Sequence, residues 1–222
     1  LNKMKNIRNY FIIACFSLIS LNALQAQVSM VYSLGISPQQ APQGHYVFVN
    51  RSSPDSEFTF NLSQVKASYF VGAGIRYTMA PFFLMTEAQY NKRSYVYDVV
   101  PTSSSFIRSE ETIEFNESMH VINVPVSVGV ELGIIEVFSG FLPQFIVAHQ
   151  TDLDQLTGYS DDLKTLRLGW QTGIAAKVNK LRIGLNYKMD ANNYADHISI
   201  NEQQLKLTGR SSRVIGSLSF VF

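Results

Sequence analysis

The sequence predicts an all-β chain: an eight-stranded antiparallel up-and-down transmembrane β-barrel preceded by a cleaved signal peptide. Three observations predict it. Eight segments alternate apolar and polar residues with period two. Short and long connections between them alternate strictly. The polar face of the segments carries the charges, and the opposite face is apolar. Composition agrees. The 222 residues are 46% hydrophobic, 12% aromatic and only 16% charged, against about 25% charged in soluble domains. Such a chain is too apolar to be disordered. A formal net charge of +1 supplies no basic field for nucleic acid. One cysteine excludes an internal disulfide framework and a cysteine-based zinc site.

Residues 1–26 read as the signal peptide, with Leu1-Asn2-Lys3 as open-reading-frame overhang and Met4 as the biological start. Lys5 and Arg8 precede an apolar run from Tyr10 to Leu21, and Ala26 supplies a small residue at the cut, although Leu24 rather than a small residue stands at the −3 position. The run falls short of the roughly 20 residues that a spanning helix needs. Ile12-Ile13-Ala14-Cys15 has the look of a lipobox, but the apolar run continues through Phe16-Ser17-Leu18-Ile19, where a lipoprotein turns polar. Residues 27–222 are then the barrel, with two more acids than bases and no apolar stretch long enough for a transmembrane helix.

The first strand, Val28 to Ser37, sets Val28, Met30, Tyr32, Leu34 and Ile36 against serines and glycine. The second, Ser68 to Met79, opposes Tyr69, Val71, Ile75 and Tyr77 to Gly72, Gly74 and Arg76. The third, Phe83 to about Tyr97, puts Leu84 and Tyr90 opposite Glu87, Gln89, Asn91 and Arg93. The fourth, about Phe115 to Glu131, alternates Ile122, Val124, Val126, Val128 and Val130 with Asn123, Ser127, Gly129 and Glu131. In the fifth, Ile135 to Val147, Val137, Phe141, Phe145 and Val147 face away from Glu136, Gly140 and Gln144. The sixth, Leu166 to Val178, opposes Leu168, Trp170 and Ile174 to Arg167, Gln171 and Lys177. The seventh, Leu181 to Met189, opposes Ile183, Leu185 and Tyr187 to Arg182, Asn186 and Lys188. The last, about Arg213 to Phe222, opposes Val214, Leu218, Phe220 and Phe222 to Arg213, Ser217 and Ser219. Most reach the length of about ten residues that a tilted membrane strand requires.

Tight turns fall at Ala80-Pro81-Phe82, Leu132-Gly133-Ile134 and Asn179-Lys180, and long polar loops at roughly 38–67, 98–114, 148–165 and 190–212. Outer-membrane barrels have short periplasmic turns and long external loops. Two-residue turns also predict register. A Pro81-Phe82 turn places Arg76 opposite Glu87, and the other two turns set Glu131 opposite Glu136 and Lys177 opposite Arg182. These six residues are expected to form one ionic cluster at the periplasmic end of the lumen, with Glu136 reaching Lys177.

The signal ending Ala26-Gln27, the strand Asn123-Val124-Pro125-Val126, the glycine-alternating Leu168-Gly169-Trp170-Gln171-Thr172-Gly173 and the terminus Leu218-Ser219-Phe220-Val221-Phe222 carry a resemblance. The chain is similar to the eight-stranded outer-membrane β-barrel family that includes porin-family and PorT-like barrel domains, architecturally similar to OmpA and OmpX. The resemblance implies location in a Gram-negative outer membrane and an insertion signal at Leu218, Phe220 and Phe222, read by the barrel assembly machinery. The glycine usual in that signal is displaced, with Gly216 one position early. It also implies outer-membrane lipid as partner, and leaves open a barrel subunit of a secretion apparatus.

A lipid A-modifying barrel enzyme is the rival class. Glu117-Ser118-Met119-His120 supplies residue types for such chemistry, but a polar collar at the rim is the plainer reading, and no catalytic residue is assigned. His45, His120, His149 and His197 are too scattered in sequence for a metal set. Asp152, Asp154, Asp161 and Asp162 lack the spacing of a calcium loop and read as a solvated acidic loop. No cofactor is expected. Aromatics such as Tyr69, Tyr90 and Trp170 fit lipid contact and interfacial girdles. The runs His45–Asn50 and Glu57–Leu62 read as an external hairpin whose edge and aromatics, Tyr46, Phe48, Phe58 and Phe60, form a candidate surface for an envelope protein partner. The expectation is a non-enzymatic barrel whose role lies in its external loops.

Overall fold

The computed structural model describes residues 27–39, 45–49, 57–101, 113–155, 159–161, 163–193, 197–200, 203–204 and 210–222. Residues 1–26, assigned above to the signal, lie outside them. Sixteen strands fill the described chain: β1 (Gln27–Ser37), β2 (His45–Val49), β3 (Glu57–Val65), β4 (Ser68–Met79), β5 (Phe82–Pro101), β6 (Ile113–Asn123), β7 (Val126–Leu132), β8 (Ile135–Phe141), β9 (Gln144–Thr151), β10 (Tyr159–Asp161), β11 (Leu166–Arg167), β12 (Gly169–Val178), β13 (Leu181–Asn193), β14 (Ile198–Ile200), β15 (Gln203–Gln204) and β16 (Arg210–Val221). One 3-10 turn, Leu153–Gln155, is the sole helical element among the described residues.

Eight of these strands close a ring by antiparallel pairing, in the order β1, β4, β5, β7, β8, β12, β13, β16 and back to β1. Closure removes the exposed edges that an open sheet would leave. At the seam Met30 and Phe222 exchange two backbone hydrogen bonds, at 3.0 and 2.9 Å.

Two staves change label without changing register. Val124-Pro125 separates β6 from β7, and Leu142-Pro143 separates β8 from β9. Proline has no N–H to give the ladder. The register nevertheless runs through, since Asn123 faces Gln144 and Val126 faces Phe141. The Val124 N–H donates to the Pro143 carbonyl at 2.8 Å.

The wall is inverted relative to a water-soluble protein. Along β1 the side chains of Met30, Tyr32, Leu34 and Ile36 are exposed, while Ser29, Ser33 and Ser37 are buried. Ile36 is 67%, Phe141 65% and Val128 63% exposed, while Arg76 and Glu136 are 0% exposed. Soluble proteins do the reverse and rarely leave continuous apolar surface on this scale. The lumen is not filled by polar groups alone. Val31, Phe83, Met85, Phe138, Ala175 and Val221 form an apolar cluster inside it. Its rings cover cations: the Arg76 guanidinium lies 3.8 Å from the Phe83 ring centre and that of Arg182 lies 4.7 Å from Phe138. A guanidinium face is weakly hydrated and stacks well on aromatic rings, which is how such charges are accommodated there.

The three tight turns are two-residue hairpins. Gly133 and Asn179 take positive φ, +68° and +56°, the conformation for which glycine and asparagine are favoured. The first turn corrects the sequence reading. Met79 pairs with Phe82, so Ala80 and Pro81 are the turn residues and Phe82 belongs to the ladder. The register therefore shifts by two. Arg76 faces Met85, and Glu87 faces Gly74.

The staves on one side continue well beyond the ring. β5 has 20 residues. β3 runs into β4 through Lys66-Ala67 and pairs with the far half of β5, from Phe58 opposite Pro101 to Val65 opposite Tyr95. β2 pairs with β3. β6 takes the other edge of β5, and β9 takes the far edge of β6. β10, β14 and β15 form a small separate sheet that brings segment 159–161 against segment 198–200. This upper storey has its own core, in which Phe60, Tyr97, Met119, Leu153 and Ile198 are buried.

Candidate functional site

Among the described residues, the buried charged and polar side chains gather in the lumen and in the upper storey. At the turn end of the lumen, Arg76 bridges Glu131 at 2.5 Å and Glu136 at 3.0 Å. Arg182 Nε donates to Glu136 at 2.7 Å, and Lys177 lies 3.1 Å from Glu131. Five of the six residues read from the sequence as an ionic cluster thus meet. Two details differ. Lys177 joins Glu131 rather than Glu136, because Glu136 stands opposite Ala175. Glu87 lies outside the cluster, because the two-residue register shift carries it further up the barrel. There it accepts hydrogen bonds from Ser33 Oγ at 2.5 Å and Gln89 Nε2 at 2.9 Å. Lys188 donates to Gln89 at 2.7 Å.

Higher in the lumen, Asp190 sits between Arg93 at 3.1 Å and Arg213 at 3.4 Å and accepts a hydrogen bond from Gln144. Sequence reasoning missed Asp190 because it ended the seventh strand at Met189. Extending the parity of Arg182, Asn186 and Lys188 by one step would have placed it inside.

The third cluster lies in the upper storey and is built from three separate elements. β6 supplies Glu117, β9 supplies His149, and the turn before β14 supplies His197. The Nε2 atoms of His149 and His197 lie 2.7 and 2.6 Å from the same oxygen, Glu117 Oε1. Tyr97 donates to the other carboxylate oxygen at 2.7 Å. On its far side, His149 Nδ1 meets Asp161 Oδ2 at 2.9 Å. Arg167 Nη2 stands 3.4 Å from His197 Nδ1. β10 and β14 hold this arrangement, since Asp161 pairs with Ile198, the residue after His197.

The chemistry follows from burial. Removing Glu117 from water raises its pKa, but hydrogen bonds from His149, His197 and Tyr97 outweigh that and hold it at about 2. Burial lowers the pKa of His149, and the carboxylates of Glu117 and Asp161 overcome this and raise it. His149 has a carboxylate at each ring nitrogen and so donates from both as an imidazolium. Burial, with the Glu117 charge second, raises the Tyr97 pKa, so this phenol stays a donor. The folded pKa of Glu117 is depressed, so its contribution to stability is present above the usual 4.5 and is lost as pH falls towards 2. Pepsin cleavage within 113–121 is therefore expected to increase from pH 4.5 to pH 2, and a Glu117→Gln variant to lose that dependence. Equal pH profiles for the two proteins would refute it.

The other candidates separate. Glu117 is buried, while its neighbours Ser118 and His120 are half-buried on the opposite side of the strand. His120 Nδ1 is hydrogen-bonded to Tyr90 on the outer wall. Period two thus splits the run Glu117-Ser118-Met119-His120 between two faces, Glu117 and Met119 inside and Ser118 and His120 on the other side. His149 and His197, scattered in sequence, converge. Of the acidic loop, Asp161 binds His149 and Asp152 accepts the Asn116 N–H at 3.1 Å, so neither is merely solvated; Asp162 lies outside the described residues. The predicted hairpin exists as β2 and β3, with Tyr46 opposite Phe60 and Phe48 opposite Phe58. Phe60 lies inside the upper storey rather than on its surface. It is 0% exposed and packs on Tyr97 with ring centres 5.0 Å apart, because it points into the core of the upper storey. The side chains of Tyr46, Phe48 and Phe58 lie outside the described residues. Phe220 and Phe222 are exposed on the outer wall with stacked rings 6.5 Å apart, and Leu218 is half-buried beside them.

No family model matches the chain, and no curated protein matches it. Among solved structures it is similar to LpxR from Salmonella typhimurium, at 9% identity and TM-score 0.29, over 87% of this chain and all of that one. It is also similar to the transport unit of the autotransporter AIDA-I from Escherichia coli, at 10% identity and TM-score 0.27, over 88% of this chain and 90% of that one. Likenesses this distant carry no functional argument. The barrel rests on its own closed ladder of strand pairs.

Proposed function

We propose that this protein is a non-enzymatic integral outer-membrane barrel. Its upper storey and loops face the exterior, for envelope structure, adhesion or assembly with a partner protein. The observation that supports this most directly is the inverted wall, an apolar exterior around a hydrogen-bonded polar interior. Lipid cannot hydrogen-bond exposed backbone, so a closed barrel with such a wall is one of the two structures able to cross it. A membrane strand takes about 9–11 residues from the turn end. Glu117 pairs with Tyr95, well past that length along β5, so its cluster stands outside the bilayer. In this reading residues 1–26 direct export, and Leu218, Phe220 and Phe222 are read by the assembly machinery.

The lumen supports anchoring rather than diffusion. Between Ser33, Glu87, Gln171, Arg182 and Lys188 about 10 Å³ is open, space for about one water. Barrels with an aqueous channel need about 16 strands. Surface labelling tests the reading. An epitope placed between residues 102 and 112 should be labelled on intact cells, and one at Asn179-Lys180 only after the outer membrane is permeabilised. The purified protein should shift mobility on heating and give no large, stable conductance in planar bilayers. Recovery in the soluble periplasmic fraction, or a large conductance, would overturn it.

A further inference from the structure

We infer that Glu117, His149 and His197 form a binding site for one divalent transition-metal ion of the zinc class, which staples the two loop segments 159–161 and 198–200 to the barrel wall. One ligand atom from each of the three residues lies within 4.8 Å of the others. Zinc takes imidazole nitrogen and carboxylate oxygen at about 2.0–2.2 Å in tetrahedral geometry, and two histidines with one carboxylate suit it better than calcium or magnesium, which prefer all-oxygen shells.

The surroundings are those of a metal site. Metal-binding histidines commonly donate their second N–H to a carboxylate, and ligating carboxylates are themselves hydrogen-bonded. His149 Nδ1 meets Asp161, and Tyr97 holds the distal oxygen of Glu117. Tyr159 is half-buried beside the cluster and hydrogen-bonds Thr151. The side chains of Glu117 and His197 are 0% exposed, whereas those of His149 and Asp161 are 13% and 28% exposed, so the ion enters past that pair.

Charge and protons balance. Without metal, the two histidines donate protons to one carboxylate oxygen. A divalent ion replaces those protons: His149 releases one and becomes neutral, still donating from Nδ1 to Asp161. On His197 the proton moves from Nε2 to Nδ1, which gives up the hydrogen bond it accepts from Arg167 Nη2 at 3.4 Å. The ion with the carboxylates of Glu117 and Asp161 is then neutral overall. Two loops distant in sequence are tied to β6 and β9, the kind of contribution structural zinc makes. The inference does not depend on the membrane reading, because it uses side chains of the upper storey alone.

The test is calorimetric titration of the folded barrel with ZnCl₂ after chelator treatment and dialysis. The wild type is expected to bind one equivalent, with a heat that depends on the buffer because protons are released. Asp161→Asn should weaken binding about 10–100-fold, and His149→Gln or His197→Gln more than that. His120→Ala should bind as the wild type does. Heat-shifted mobility reports whether each variant has folded. Should the histidine variants fail to fold, Co²⁺ titration of the wild type decides, by intense four-coordinate ligand-field bands rather than the pale spectrum of the aqueous ion. No saturable binding, an aqueous-type Co²⁺ spectrum, or unchanged binding in a folded His197→Gln variant would overturn the inference.

Discussion

Replacing Glu136 with alanine is expected to destabilise the barrel by about 3–5 kcal/mol, the usual consequence of leaving a buried charge uncompensated. Glu136 is fully buried between Arg76 and Arg182. Both guanidiniums are fixed against rings, Phe83 and Phe138, and cannot swing into water. Lys177 makes the contrast. Its pair with Glu131 has side chains 28% and 22% exposed, so Lys177→Ala should cost less than about 1 kcal/mol. The measurement is the urea midpoint of the heat-shifted species in lipid vesicles. Equal midpoints for the two variants would refute the idea that a closed ionic lattice holds this end of the lumen. Glu136→Gln should fall between them, since it keeps an acceptor and loses the charge.

Gly140→Ala should prevent correct assembly, and Gly216→Ala should not. A Cβ at position 140 would lie 2.0 Å from the Val126 carbonyl oxygen and 2.6 Å from Ser127 Cα. Both are backbone atoms of β7, held by the β7–β8 ladder, so no side chain can turn away to make room. The strands must separate, at a cost of about 3 kcal/mol or more, in a ring where each stave has two neighbours. At Gly216 a Cβ meets nothing within 4 Å, and alanine there should be neutral within about 0.5 kcal/mol. The fraction of heat-shifted protein after folding into vesicles compares them. Full assembly of the Gly140→Ala variant would mean that β7 and β8 pack less closely than the ladder implies.

The sequence by itself determined the barrel and the contents of its two faces. Period two admits one alternation per strand, and a one-residue slip would put Arg76, Glu136 or Arg182 into the apolar wall. It also determined the opposition of Glu131 to Glu136 and of Lys177 to Arg182, because a two-residue turn centred on Gly133 or Asn179 permits one register. The Arg76–Glu87 opposition failed because Pro81 is compatible with either turn position, and no local signal separates Ala80-Pro81 from Pro81-Phe82. Asp190 was within reach of parity.

Tertiary structure alone decided the upper storey. Phe60 has the sequence signature of an exposed hairpin aromatic, and becomes core because it points inward against Tyr97 of the extended β5 and the rest of the upper-storey core. Glu117, His149 and His197 stand on a strand, a second strand and a loop, and no spacing relates them. Their meeting depends on β10 pairing with β14, a contact between two loops that have no hydrophobic period to announce it. Strand periodicity is a local property of the backbone and can be read from neighbours in sequence. Convergence of side chains from distant loops is a property of how the closed barrel places their ends, and appears only once the ring is complete.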